Sequence, residues 1–261
     1  MSDLAKVQQI ELDMLQIIDK LFEDNNLTYY AVGGTLLGAV RHEGFIPWDD
    51  DIDLAMPRPD YEKFVNTVSK LLPQNLTLKK NPLNLDILQV VNTDTLIQLG
   101  TQKQGIFIDI FPIDGVPDSV NSRKWFASKV LLRRMLCKIS VLDILEQRDR
   151  GTLENLITSC SNVLKLNKII STEKQLKKLN NLVQSYSYSD SNYVGVVLGR
   201  YRNREFMEKE IWGVPKKLKF ESIEINAPSK YKSYLSNIYG DYMVLPPKEK
   251  QVAHNIKLLK S

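Results

Sequence analysis

The densest chemistry in the chain is the run Asp49-Asp50-Asp51-Ile52-Asp53. On a strand, side chains alternate between faces, so Asp51 and Asp53 share one side while Ile52 and Leu54 pack on the other. Two like charges at that spacing repel, and a bound cation lets both stay ionised at neutral pH. Oxygen-only ligands suit Mg²⁺ or Mn²⁺ rather than zinc. Only two histidines occur in 261 residues, which argues against a His-based centre. The plain alternative is an acidic loop in water. A further carboxylate, Asp109, interrupts the apolar run Ile106-Phe-Ile-Asp-Ile-Phe111. A charge there is costly unless compensated. It is read either as a third metal ligand, or as a solvent-facing residue of an edge strand, or as the partner of a Lys or Arg.

These residues need elements to hold them. Residues 4–24 carry Leu4, Val7, Ile10, Met14, Ile17, Ile18, Leu21 and Phe22 at helical spacing. Glu11, Asp13, Asp19, Lys20 and Glu23 fall on the polar side, and Asn25-Asn26 closes this amphipathic helix. A β-rich run, Leu27–Val32, stops at Gly33-Gly34, and a short helix follows over Thr35–Arg41. Backbone amides opening a helix without side-chain obstruction can bind phosphate, although a simple tight turn explains a Gly-Gly pair as well. Arg41 and His42 stand close to both elements and can contact phosphate oxygens. Asp49–Met56 is read as a strand broken by Pro57 and Pro59, and Tyr61–Leu72 as a helix. Leu76–Leu78, Ile87–Val91 and Ile106–Phe111 are further strands. After Pro112, Asp114-Gly115 and Pro117 the composition shifts, and residues 123–184 are helical in pattern. The order strand, Gly-Gly, helix, D-x-D strand and later acidic strand matches a nucleotidyltransferase-type metal site.

The run Gly33-Gly-Thr-Leu-Leu-Gly-Ala-Val-Arg-His42, followed by Gly44-Phe-Ile-Pro-Trp-Asp-Asp-Asp-Ile-Asp53, closely resembles the LicD family of phosphotransferases. So do Phe107–Pro112 with Asp114-Gly115, and Tyr239-Gly-Asp-Tyr-Met243 with Leu245-Pro-Pro247. The resemblance implies an α+β fold: a nucleotidyltransferase-like mixed β-sheet core flanked by helices, with a mostly helical C-terminal half. The expected division is a catalytic core over 1–118 and a mostly helical substrate-binding region over 119–261, packed on the core. It also implies transfer of phosphocholine from CDP-choline to sugars of bacterial cell-surface glycans. The fukutin-type relatives use CDP-ribitol, so the motif leaves the transferred group open. By position, Asp51 and Asp53 match the family's metal ligands, Asp109 its later acidic residue, and Asp49 a further family aspartate. Gln251 stands near where many relatives carry an arginine.

For that chemistry, Mg²⁺ (or Mn²⁺) on Asp51, Asp53 and Asp109 neutralises the diphosphate. Gly33, Gly34 and Thr35 supply donors to phosphate, and Arg41 a bidentate clamp. Asp109 and Asp49 are the candidate general bases, with His254 third. A quaternary ammonium calls for aromatic faces plus a carboxylate. Trp48 is favoured because its loop borders the site, while Tyr186, Tyr188, Tyr193, Tyr201, Tyr239 and Tyr242 remain available.

Composition excludes several classes. Hydrophobic residues make up 43% and charged residues 25%, near the globular average, against disorder, collagen and coiled coil. Cys137 and Cys160 lack metal or redox spacing and suit a reduced, cytoplasmic protein. The polar N-terminus does not read as a signal peptide, and no apolar run approaches a membrane span. A net charge of +4 is too mild for a nucleic-acid binder. It does conceal a basic amphipathic stretch, Arg123 to Lys138, with no acid between Asp118 and Asp143. That stretch either packs on the core with its charges solvated, or lies against the anionic inner face of the plasma membrane, where a lipid-linked glycan acceptor would be met. Rival functions are transfer of ribitol- or glycerol-phosphate, a true nucleotidyltransferase releasing pyrophosphate, and a non-catalytic adaptor.

Overall fold

The N-terminal amphipathic pattern folds into α1 (Asp3–Asp24) in the computed structural model, which describes residues 2–80, 87–99, 102–140, 170–251 and 256–260. Ser2 caps the helix by accepting the Ala5 N–H at 3.2 Å. The Asn25 side chain donates to the Leu21 carbonyl at 2.8 Å, and Asn26 turns the chain away with φ 51°. Val7, Leu12, Met14, Leu15, Ile18 and Phe22 face the core. Glu11 joins them at 1% exposure, which corrects its assignment to the polar side. It follows Val7 by one helical turn and so sits in the middle of the apolar stripe.

The principal sheet runs β1 (Tyr30–Ala31), β2 (Ile52–Pro57), β7 (Phe107–Val116), β4 (Leu88–Asn92), β3 (Leu76–Lys80). Among the described residues only β2 and β7 pair in parallel within it, and the other pairings are antiparallel. Helix α2 (Gly33–His42) lies between β1 and β2, and α3 (Arg58–Asn66) follows β2. Helix α3 begins earlier than the periodicity suggests because Pro57 and Pro59, read as strand breakers, sit at its N-cap and first turn, where no donor is lost. Strands β5 (Leu96–Leu99) and β6 (Gln102–Gln104) form a separate hairpin joined by the C-terminal β12 (Ile256–Lys260).

The second half is led by α4 (Val120–Ser140), α5 (Thr172–Val183), the short α6 (Lys209–Trp212) and α7 (Tyr231–Tyr239). It also adds strands that the sequence reading did not anticipate. Strand β8 (Tyr193–Gly195) pairs with the end of β7 and carries β9 (Met207–Glu208). A hairpin of β10 (Lys216–Phe220) and β11 (Ile223–Ala227) packs beside β1 and α2. Its alternation is present but short: Leu218 and Phe220 alternate with lysines on β10, and Ile223, Ile225 and Ala227 with Glu224 and Asn226 on β11. The hairpin supports the loop after α2: Phe45 N–H donates to Glu221 at 3.0 Å, and Glu221 N–H donates to the Glu43 carbonyl at 2.7 Å. Cys160 lies outside the described residues.

Among the described residues, two apolar clusters form the core. The larger joins α1, α2, the principal sheet, the β10–β11 hairpin and α7. The smaller packs Phe126 and Val130 of α4 with Leu179 and Val183 of α5, together with Val116, Val197, Leu198 and Phe206.

Candidate active site

Ile52, Leu54, Ile108 and Ile110 are all fully buried, which fixes the opposite face of β2 and β7 for Asp53 and Asp109. In the parallel register Asp53 is the direct neighbour of Asp109. Adjacent strands lie about 4.8 Å apart, so the two carboxylates stand side by side. Asp109 is therefore neither on an edge strand nor directed away from the site. Its Oδ1 accepts from Gln89 Nε2 at 2.8 Å across to β4.

Helix α2 meets this pair with its N-terminus. Thr35 Oγ1 accepts the Asp53 N–H at 2.8 Å, and Val32 N–H donates to the Asp53 carbonyl at 3.1 Å. Gly33 adopts φ +55°, and a Cβ on it would lie 3.1 Å from Asp53 Oδ2. A Cβ on Gly34 would run into the Asp49 carboxylate. The glycines thus let two carboxylates approach the positive end of the helix.

The acidic triplet is a loop, because β2 starts at Ile52. Gln8 of α1 donates to the Asp49 carbonyl at 2.8 Å, and Asp49 N–H donates to Ile46 O at 2.9 Å. Carboxylate oxygens of Asp49, Asp50 and Asp51 lie within 4.8 Å of one another. Burial, then the charges of Asp51, Asp109 and Asp49, push the Asp53 carboxyl well above the usual range. Glu11 is raised for the same reasons, with burial first and Asp51 and Asp50 next. Its Oε2 has no hydrogen-bond partner among the described residues. The donor set is thus carboxylate oxygen throughout, held close against mutual repulsion, and it fits a hard divalent cation.

Asp49, Asp51, Asp53 and Asp109 open into a cavity of about 1080 Å³. Gly33, Gly34, Arg41, Trp48 and Tyr242 line it as well. Thr35 and His42 do not line it and instead brace residues that do. Arg41 donates from Nε to His42 Nε2 at 3.0 Å and from Nη1 to the Tyr242 carbonyl at 3.2 Å. Burial, then the Arg41 charge, lowers the His42 pKa and keeps the ring a neutral acceptor. His254 lies outside the described residues. Gln251 donates to the Pro246 carbonyl at 2.8 Å, and Pro246 lines the cavity.

The far wall comes from the second half, and the sequence reading missed most of it. Arg134 and Lys138 of α4 line the cavity, joined by Arg200, Arg202 and Glu205 from the loop after β8. The signal for the first pair was present: with Leu131 they recur at one-turn spacing along a single helix face. Of the aromatic candidates, Trp48, Tyr201, Tyr239 and Tyr242 reach the cavity, whereas Tyr186, Tyr188 and Tyr193 do not line it. Tyr234, unremarked in the sequence, lines it too, with its buried hydroxyl directed at the Gly33 backbone.

A profile described as LicD/FKTN/FKRP, nucleotidyltransferase domain, matches residues 26–138. Lipopolysaccharide cholinephosphotransferase LicD of Haemophilus influenzae is 31% identical over 97% of this chain and 96% of its own length. An uncharacterized protein of Rickettsia typhi is 46% identical over 55 residues, 21% of this chain and 16% of its own. An end-to-end match of that kind, carried on a cavity where the D-x-D motif, the later aspartate and the Gly-Gly helix converge, places the chain in the LicD family.

Proposed function

We propose that this enzyme transfers phosphocholine from CDP-choline to a sugar hydroxyl of a cell-surface glycan precursor of the teichoic acid or lipopolysaccharide type. The observation that carries the reading is the side-by-side pair Asp53 and Asp109 at the N-terminus of α2, in a chain similar along its whole length to a cholinephosphotransferase. The acceptor oxygen attacks the phosphorus that bears choline. The bond from that phosphorus to the bridging oxygen breaks, and CMP leaves with the oxygen. Asp49 or Asp109 takes the hydroxyl proton. Amides of Gly33 and Gly34 and the guanidinium of Arg41 hold phosphate oxygens. Asp51, Asp53 and Asp109 would hold Mg²⁺, or Mn²⁺, which when bound neutralises charge on the diphosphate.

No described helix is long and apolar enough to cross a membrane. The acceptor is taken to be lipid-linked and met at the inner face of the plasma membrane. There Trp125 and Leu132, exposed on α4, would touch lipid beside Lys124 and Lys129.

Incubation with CDP-choline and a deacylated lipopolysaccharide acceptor tests the reading. CMP release that requires Mg²⁺ and is lost in EDTA is expected. Pyrophosphate from a nucleoside triphosphate would point instead to nucleotidyl transfer. CMP from CDP-ribitol or CDP-glycerol in preference to CDP-choline would reassign the transferred group.

A further inference from the structure

Two carboxylates of the cavity wall stand apart from the acidic loop and β2–β7, the exposed Asp241 and the buried Glu205. Glu205 is the one that folding shields from water. It ends a 3₁₀ turn over Arg202–Glu205, is 4% exposed and lines the cavity. Its Oε1 accepts the Tyr201 N–H at 2.9 Å. A Cβ at Gly199 would overlap its carboxylate, so the preceding loop is shaped to admit this group. Beside it stand two tyrosines whose rings meet at 73° with centroids 5.1 Å apart. Their hydroxyls, Tyr201 and Tyr239, are hydrogen-bonded at 3.0 Å, which fixes the corner that the rings make. All three residues border the same cavity.

A quaternary ammonium donates no hydrogen bond. It is held by aromatic faces and by a nearby negative charge, most strongly where water is excluded. We propose that Glu205, with the rings of Tyr201 and Tyr239, seats the trimethylammonium group of the donor, an assignment that rests on the phosphocholine reading above. Lys138, Arg200 and Arg202 line the same cavity, and the groups whose charge or hydrogen bond acts on Glu205 itself or is acted on by it are Arg134 of α4, Tyr201, Tyr234 and Asp53. Arg134 is the cation among them, and its Nη1 donates to the Gly199 carbonyl at 3.3 Å. Arg134 and the Tyr201 amide do not offset burial, which pushes the Glu205 carboxyl up to about 7. A permanent cation entering this corner supplies the missing charge. The seat and the acidic site line one cavity, so one donor can place its headgroup at the first and its phosphates at the second.

Steady-state CMP release is measured with CDP-choline and with CDP-glycerol, whose headgroup is neutral, for wild type, Glu205→Gln, Tyr239→Phe and Tyr239→Leu. Calorimetric binding of CMP checks that each variant keeps its donor site. Glu205→Gln is expected to lower the ratio of kcat/KM for CDP-choline over CDP-glycerol by about tenfold, mainly through KM. Tyr239→Phe, which keeps the ring, retains most of the preference, and Tyr239→Leu loses it. An unchanged ratio in both Glu205→Gln and Tyr239→Leu overturns the seat while leaving phosphocholine transfer standing. Equal losses with both donors reduce Glu205 to a structural partner of Arg134, and also overturn it. Should Glu205→Gln fail to bind CMP, the contrast between Tyr239→Phe and Tyr239→Leu decides. A wild type that prefers CDP-glycerol removes the phosphocholine reading and the seat together.

Discussion

Asp53 carries a conflict of its own, because folding places a half-buried carboxylate beside Asp109, Asp51 and Asp49. Removing its charge relieves repulsion but removes a ligand. Asp53→Asn is therefore expected to melt higher than wild type in EDTA while losing at least about 100-fold in activity. Added Mg²⁺ raises the melting temperature of wild type more than that of the variant. Equal responses to Mg²⁺ would exclude Asp53 as a ligand. Glu205 gives a pH signature of its own. Its folded pKa is raised to about 7 from 4.5, so the folded state holds a proton that the unfolded chain has released between those values. Stability from this group is present below the lower value and lost as pH rises through the upper one. Glu205→Gln is expected to gain on wild type in melting temperature from pH 4.5 to 7, and an offset independent of pH would contradict the shift. Legibility at this scale followed periodicity. Asp109 stood out as a charge inside an apolar strand, and the structure sets it beside Asp53. Glu11 was assigned by its charge rather than by its place one turn after Val7. Tyr234 shares the buried face of its helix with Leu235 and Ile238, a pattern that reads as core, and Glu205 lies on a short turn without periodicity. Only tertiary folding brings the two to the cavity.

At the scale of elements, the motif that reads as catalytic also contains a structural clamp. Asp114 accepts from Arg58 Nε and Nη2, both at 2.6 Å, and so ties α3 to β7. Neither residue lines the cavity. Asp114 is buried, so Asp114→Ala leaves the guanidinium without its main partner and is expected to destabilise by about 3 kcal/mol in urea unfolding. The double variant Arg58→Met/Asp114→Leu recovers most of that loss, because it removes both charges. A double variant as unstable as the single one would show that the pair is more than mutual compensation. Helix α4 divides its basic residues. Arg134 and Lys138 face the cavity, whereas Lys124 and Lys129 accompany Trp125, which is 64% exposed. Lys129 Nζ lies 5.2 Å from the Trp125 ring centre. Wild type is expected to float with vesicles containing anionic lipid, and Lys124→Glu/Lys129→Glu to stay behind. Equal flotation, or none by either protein, would remove the membrane contact. The basic stretch was visible as composition, but its partition between cavity and surface depends on packing against α5 and the loop after β8.

At the scale of the molecule, the cavity is a joint product of both halves. The first supplies the acidic floor and the Gly-Gly helix end, while the second supplies Arg134, Glu205, Tyr234 and Tyr239. The division near residue 118 is also crossed by hydrogen bonds. Strand β8 pairs with the last residues of β7, and β12 pairs with β5 and packs on α1. Val116, at the end of β7, is buried in the cluster formed by α4 and α5. A fragment of residues 1–118 would expose that edge and that side chain, as well as the strand that β12 covers. It is expected to show no cooperative thermal transition and no CMP release, whereas the whole chain unfolds in a single transition that CMP shifts upward. A fragment that melts cooperatively near the temperature of the whole chain would make the first half an autonomous domain. The second half would then be an added wall, and the acidic site could form without the residues that face it.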